Sequence, residues 1–124
     1  MKTLKNNKGF TLIEIIAVLV ILGILAAVAV PKYIDLQREA RLKAAQGAIA
    51  EVKARANQYY AVKLLREGTP PAEGVVISSV GAAPDLGEDF TVSFVAGASG
   101  IKVTAVQGVT ITPNVTGTWI YPTP

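Results

Sequence analysis

Hydrophobic and polar positions divide the chain into three zones. From Ile15 to Val30 the chain holds only aliphatic residues and one glycine. A helix from Phe10 to Val30 rises about 1.5 Å per residue and reaches roughly 30 Å, the thickness of the hydrocarbon core of a bilayer. Charged residues and alanines follow up to Glu67, and short alternating segments make up the remainder. The pattern predicts a membrane-length helix, an amphipathic helix and a small β-rich end.

Glu14 is the one charged side chain inside the apolar run. A carboxylate in a bilayer costs a few kcal/mol or more. We expect nothing nearby on the same helix to pair with it. The sequence therefore predicts that its partner is supplied by another molecule.

The second zone, from Lys32 to Glu67, predicts a long helix with one apolar stripe, because apolar positions recur at three- and four-residue steps. The stripe consists of Ile34, Leu42, Ala45, Ile49, Val52, Ala56, Tyr59, Tyr60 and Leu64. Pro31 predicts a kink or local opening, since it cannot donate to the carbonyl of Ala27. Basic side chains outnumber acidic ones along this helix. We interpret them as a solvated face; the alternative is a surface for an acidic partner, for which residues 68–124 offer acidic side chains.

The third zone predicts strands. Gly68 ends the helix by adopting a positive φ, and two prolines follow it closely. Residues 90–95 and 101–106 alternate, with residues 97–100 as a hairpin loop between them. The faces directed inward are Phe90, Val92 and Phe94 in the first strand, and Ile101, Val103 and Ala105 in the second. Short strands are also predicted over residues 75–77, 109–112 and 118–121, with breaks at residues 107–108 and 113–114.

The fold class follows from the small size of the third zone. Residues 68–124 are too few to hold a good core alone, so we expect the stripe from about Leu42 to Leu65 to cover an antiparallel meander of three or four strands. The predicted fold is α+β: a long N-terminal α-helix, hydrophobic and then amphipathic, packed on a small antiparallel β-sheet head. The predicted parts are a leader over residues 1–9, a stem over 10–31, an amphipathic helix over 32–67 and the head over 68–124.

A family resemblance is specific from Lys8 to about Leu36 and is weak beyond that. The Lys-bearing leader that ends at Gly9, followed by Phe10 and Thr-Leu-Ile-Glu, resembles the prepilin processing site of type IV pilins and type II secretion pseudopilins. Gly23 and Pro31 fall where the membrane helix of that family usually carries a glycine and a proline. The following Pro-Lys-Tyr-Ile-Asp-Leu-Gln is similar to pilins of the mannose-sensitive haemagglutinin type.

The resemblance implies a processing and assembly pathway. A prepilin peptidase would cut between Gly9 and Phe10 and methylate the new N-terminus, and Glu14 would meet the α-ammonium of Phe10 on a neighbouring subunit. The segment from Gly23 to Pro31 would be helical in the isolated subunit and partly extended in a filament.

The implied function is that of a structural subunit of a type IV pilus. The chain would assemble as a helical homo-oligomer, first in the bacterial inner membrane and then in the extracellular pilus, with the pilus assembly machinery as a further partner. The alternative is a pseudopilin in the periplasmic pseudopilus of type II secretion. A secreted soluble binding module is the alternative from another class, since residues 1–29 also fit a secretory signal that is cut before Val30. The length of the apolar run, Glu14 and Pro31 oppose it.

Composition excludes several function classes. The net charge of +3 depends on Lys2, Lys5 and Lys8 in the predicted leader, so we expect no nucleic-acid partner. The chain has no Cys and no His, which removes the common routes to nucleophilic catalysis and zinc binding. We therefore expect a non-enzymatic protein without a cofactor.

Two further motifs carry less weight. Asp85, Glu88 and Asp89 are close enough in sequence to suggest a calcium loop like that of major pseudopilins, but their spacing matches no EF-hand. We interpret them as a solvated acidic turn and predict no metal site. Asn114, Val115 and Thr116 fit the acceptor pattern for N-glycosylation, which is a weak match.

Overall fold

The computed structural model describes residues 9–81, 84–95 and 100–122. Within these ranges the chain forms two helices and three strands. They are α1 (Leu12–Glu67), α2 (Glu73–Val80), β1 (Phe90–Val95), β2 (Gly100–Val106) and β3 (Val109–Thr118). The chain divides into two compact units, of which the first ends at Gln37 and the second begins at Arg38. This is the α+β arrangement that the sequence predicts.

The part of α1 in the first unit is exposed on all sides. Gly23 and Pro31 both lie inside the helix, and the apolar side chains around them are exposed, from Leu12 at 78% to Leu36 at 55%. This part is long and apolar enough to cross a membrane. The apolar exposure continues past Pro31, and Ile34 of the predicted stripe is 59% exposed. The prediction that Ile34 belongs to the covered stripe is wrong, because its side chain is exposed and is not a member of the buried core.

The part of α1 in the second unit buries the predicted stripe on one side. Its buried residues are Ala45, Ala48, Ile49, Val52 and Ala56, and its half-buried ones include Leu42, Tyr59 and Tyr60. The helix ends as predicted at Gly68, which has a φ of 69° and donates its N–H to the carbonyl of Leu64 at 2.9 Å.

The three strands form an antiparallel meander in the order β1-β2-β3. Val92 and Phe94 of β1, and Ile101 and Val103 of β2, are buried on the predicted face. A two-residue turn joins β2 to β3 through Gln107 and Gly108, with φ of 54° and 70°. Positive φ at both central residues matches the twist of a tight hairpin. The predicted hairpin loop at residues 97–100 lies outside the described residues except for Gly100, the first residue of β2.

Residues 75–77 are helical, so the strand predicted there is wrong. An apolar run of three residues fits either structure, and here α2 buries Val76 and Ile77 while Val75 and the two following serines are exposed. The choice between helix and strand is thus made by packing against the core.

A second correction concerns β2, where Val106 is buried and Ala105 is only half-buried. Thr91 pairs with Ala105 and Val92 with Val103, so Thr104 is an extra residue in the ladder. Such a bulge reverses the facing of the residues that follow it.

A third correction concerns β3, which continues through Pro113 to Thr118 instead of breaking there. Trp119–Tyr121, predicted as strand, lies beyond its end. Pro113 is tolerated because β3 is at the edge of the sheet, where a missing N–H removes no ladder bond.

One hydrophobic core joins α1, α2, the sheet and Trp119. Helix and sheet approach closely at Gly117, where an added Cβ would lie 2.3 Å from Cγ2 of Ile49. Trp119 packs edge-on against Phe94 and Tyr121, with ring centroids 6.0 Å apart in each pair. Trp119 Nε1 also donates to Asn57 Oδ1 at 2.8 Å. These contacts hold the C-terminal segment on α1 without a disulfide.

Candidate functional site

The N-terminus of α1 is a capping box. Thr11 precedes the helix, and its Oγ1 accepts the N–H of Glu14 at 3.4 Å while Glu14 Oε2 accepts the N–H of Thr11 at 3.0 Å. The carbonyl of Thr11 accepts the first helical hydrogen bond, from Ile15 at 3.3 Å. A Thr and a Glu three residues apart form this reciprocal pair because each side chain satisfies a backbone donor that the first turn leaves free.

The expectation that Glu14 finds nothing to pair with on its own helix is therefore wrong. The signal was present in the sequence as Thr-x-x-Glu ahead of an apolar run. Its carboxylate also lies at the positive end of the helix dipole, which stabilises an anion there by a few tenths to about 1 kcal/mol. Among the described residues the cap engages Oε2 and leaves Oε1 open to accept a cation. 

Gly9 and Phe10 lie just before this cap and outside the helix. Both are exposed, and the Phe10 side chain is 86% exposed. No atom lies within 4 Å of the position that a Cβ would take on Gly9. The peptide bond between Gly9 and Phe10 is thus accessible, and the fold of the subunit itself does not require a glycine before it.

The described helical part of the predicted stem, residues 12–31, presents an apolar surface around its whole circumference. Its large side chains, such as Val20, Leu22 and Ile24, are 55–63% exposed. At its C-terminal end a shallow groove of about 520 Å³ is lined by Ala29, Val30, Lys32, Tyr33 and Leu36. A soluble helix would hide such side chains, so the stem requires lipid or other apolar helices around it.

Comparison with known proteins accounts for these features. The family described as "Prokaryotic N-terminal methylation motif" matches residues 4–30, which include Gly9, Phe10, Glu14 and Gly23. The chain is 36% identical over 76 residues to "Type IV narrow pilus major component PilA5" of Thermus thermophilus. It is 34% identical over 94 residues to "Fimbrial protein EcpC" of Eikenella corrodens. The chain thus carries the prepilin methylation motif and is similar to type IV pilins.

One of the relatives is a secretion protein. The chain is 44% identical over 55 residues to "Type II secretion system core protein G" of Pseudomonas aeruginosa. The three alignments cover 61%, 76% and 44% of this pilin-like chain, and 63%, 57% and 39% of the respective relatives. The chain thus spans less than two thirds of the length of these relatives. No solved structure matches it significantly.

Gly23 and Pro31 of the pilin stem do not interrupt the helix in this structure. Gly23 does not have a positive φ, and no atom lies within 4 Å of its Cβ position. The subunit itself therefore does not require either residue. The helical state matches what the sequence predicts for a subunit that has not assembled, and the extended state in a filament stays a prediction.

The acidic loop is organised by backbone contacts. Asp85 Oδ1 accepts the N–H of Gly87 at 2.9 Å, and the Asp85 carbonyl accepts Arg55 Nη1 at 2.8 Å. The carbonyl of Asp89 accepts the N–H of Gln107 at 2.6 Å. Among the described residues, no group of three or more His, Cys, Asp or Glu could hold a metal ion. The loop therefore packs against α1 and the β2–β3 turn, and Glu88 remains exposed at its tip.

Charged side chains of α1 mainly contact their own helix or backbone carbonyls of the second unit. Arg55 pairs with Glu51 at 2.8 Å, and Lys63 pairs with Glu67. The hydrogen bond from Glu67 raises the pKa of the exposed Lys63 above its ordinary value. Arg38 donates to the carbonyl of Thr112 at 3.4 Å. These contacts fit the solvated-face interpretation better than a surface that awaits an acidic partner.

Asn114 of the glycosylation pattern is exposed on β3. In the amide orientation that satisfies both of its polar atoms, its nitrogen donates to the Ile111 carbonyl at 3.0 Å and its oxygen accepts from Lys102 Nζ at 3.2 Å. These contacts give the side chain a role within the sheet.

Proposed function

We propose that this chain is a structural subunit of a type IV pilus, held in the bacterial inner membrane before it assembles through its stem. The observation that carries the proposal is the exposed apolar stem with one capped carboxylate at its start. In the membrane, lipid covers the stem; in a filament, the stems of other copies do so. The role is structural rather than enzymatic, in keeping with relatives named pilus and fimbrial proteins.

The proposal includes processing between Gly9 and Phe10 by a prepilin peptidase, followed by methylation of the Phe10 nitrogen. It is supported by the exposure of both residues ahead of the helix and by the methylation motif over residues 4–30. Cleavage creates an α-ammonium one residue before the cap. Methylation keeps that positive charge and adds apolar bulk, which suits an end that enters a bilayer or a bundle of stems.

Glu14 would then have two successive roles. Within a subunit it caps α1; between subunits its carboxylate accepts the Phe10 ammonium of a neighbour. At a low effective dielectric constant the pair attracts more strongly than at a surface, although desolvation offsets much of the gain. Its main effect is to set the axial register between stems.

Mass spectrometry of the membrane-bound and filament forms tests the processing step. We expect one N-terminus at Phe10, heavier by a single methyl group. An N-terminus at Met1 in filaments would contradict the proposal, and one at Val30 would favour the secreted binding module.

A pseudopilin of type II secretion is the second candidate, favoured by the 44% identity over 55 residues to core protein G. Deletion of the gene that encodes this chain distinguishes a pilin from a pseudopilin. Loss of surface filaments with normal protein export supports a pilin. Loss of export with filaments intact supports a pseudopilin.

A further inference from the structure

Gly47 has no role in the fold of its own chain. It lies in the middle of α1, it is exposed, and its φ is not positive. No atom lies within 4 Å of the position that a Cβ would take there. A glycine inside a helix destabilises it relative to alanine, so Gly47 weakens α1 without being needed for a close contact within the described part of the subunit.

Gly47 forms part of the wall of a groove of about 320 Å³ in the second unit. Ala44 and Ala48 complete the wall on α1, and Leu86 and Phe90 line the opposite side. Both of these larger side chains are half-buried and pack against the core, so the groove has a firm apolar floor. We call it the Gly47 groove.

The charges at the Gly47 groove are already neutralised. Glu51 and Arg55 are its charged lining residues, and they pair with each other at 2.8 Å. Arg55 also donates to the carbonyl of Asp85. An apolar occupant can therefore lie beside them without leaving an unpaired charge, whereas a charged occupant finds no free counterion.

We propose that the Gly47 groove receives the stem of a second copy of this chain, with Gly47 at the point of closest helix approach. The inference rests on the proposed function, because it presumes assembly. Small residues let two helix backbones approach closely where large apolar side chains interlock. The stem supplies such side chains in one continuous aliphatic run, from Ile15 to Val30, and its large side chains are exposed in the subunit.

The other exposed large hydrophobic residues of the described chain are less suitable occupants. Outside residues 12–36, Phe10 precedes α1, Val62 and Leu65 lie one turn apart on α1, and Val75, Val109 and Ile120 lie singly on α2, on β3 and after β3. The stem alone combines helical form, continuous apolar surface and near absence of charge. The groove thus extends the contact between copies from stem against stem to stem against the second unit.

Cross-linking of assembled filaments tests the proposal directly, because the chain contains no natural Cys. Chains with Gly47→Cys are co-assembled with tagged chains that carry a single Cys at one stem position from Val18 to Val28, and the purified filaments are treated with a short bismaleimide. Only cross-links between the two kinds of chain are counted. We expect cross-linked dimers at a subset of positions spaced three to four residues apart, as one face of a helix requires. Gly74→Cys, at an exposed glycine of α2 with open space around it, serves as the matched control and should give none.

Substitution by leucine gives a second, independent measurement. The Cβ of Gly47→Leu has open space around it and the position is exposed, so we expect folded, processed, membrane-inserted protein but a filament yield at least about tenfold lower, the effect of overpacking a close contact. Gly74→Leu should assemble normally. Normal yield from Gly47→Leu, or cross-links from Gly47→Cys no stronger than from Gly74→Cys, would overturn the inference and leave the proposed function intact. If the unmodified chain forms no assembly at all, the proposed function fails and this inference with it.

Discussion

The two halves of α1 differ in how densely apolar side chains occur along them and in what covers those side chains. From Leu12 to Leu36 apolar side chains point in every direction and remain exposed. From Arg38 to Glu67 they form one stripe, and the sheet, α2 and Trp119 bury it. The first half therefore depends on partners outside the subunit, and the second half gains its stability within it. A helix of this kind separates the surface for assembly from the surface for folding along one element.

The largest expected effect is at the start of the stem, where Glu14 is both a cap and a charge. Glu14→Val removes both roles, and Glu14→Gln keeps the cap, because Gln also completes a capping box. We expect both variants to insert in the membrane, since removing a charge eases insertion, and both to lose filaments when these are counted by electron microscopy. Near-normal filaments from Glu14→Gln would show that the cap, and not the charge, is what assembly requires.

The next largest effect is expected on the stability of the second unit, where the C-terminal segment packs on the core. Trp119 is 2% exposed and its neighbour Ile120 is 81% exposed. Trp119→Ala should lower the free energy of unfolding by about 3–5 kcal/mol, the usual range for a buried aromatic residue. Ile120→Ala should change it by less than about 0.5 kcal/mol. Thermal unfolding of the full chain in detergent, followed by far-ultraviolet circular dichroism, measures both, and equal effects would contradict the burial of the C-terminal segment.

One substitution made in both halves of α1 tests the comparison itself. Val52 is fully buried and Val20 is 55% exposed. Val52→Ala should reduce the free energy of unfolding by about 2 kcal/mol, while Val20→Ala should leave it unchanged and reduce only filament yield. Trp119 is the single tryptophan and lies in the core, so its fluorescence reports the unfolding of the second unit in both variants. A loss of stability in Val20→Ala would show that the stem is covered within the subunit.

The smallest effect on the isolated subunit is expected from Gly23→Ala combined with Pro31→Ala. Both residues already lie in a helix, so helix content should barely change, although alanine favours the helix by about 1 kcal/mol over glycine and about 3 over proline. In filaments the two substitutions should keep the segment from Gly23 to Pro31 helical and so prevent its extension. The fibre should be stiffer or poorly assembled, which stretching of single filaments measures. Pro70→Ala with Gly74→Ala is the matched control. A filament map with unbroken helix from Phe10 to Glu67 in the unmodified protein would rule the extension out.

The periodicity of the sequence was sufficient to predict two kinds of element. In the first kind one side is buried and the other exposed, and in the second kind every side is exposed. The all-apolar run, the stripe from Leu42 to Tyr60 and the alternation in β1 depend on local repeats, and each of them predicts the face that the structure buries or exposes. The sequence alone also shows that the chain has no His and no Cys, and that a Lys-bearing leader precedes Phe10. The capping box at Thr11 and Glu14 was also readable as a motif, and was missed because Glu14 was considered only as a charge.

Only the tertiary structure decided the features that depend on what a segment packs against. Residues 75–77 are helical because Val76 and Ile77 reach the core from one face of α2. Val106 is buried in place of Ala105 because the extra residue Thr104 shifts the pairing of the ladder. The Gly47 groove arises only where the segment before β1 meets α1. A local pattern specifies which residues share a face, but the neighbour that covers the face comes from distant parts of the chain, or from another copy.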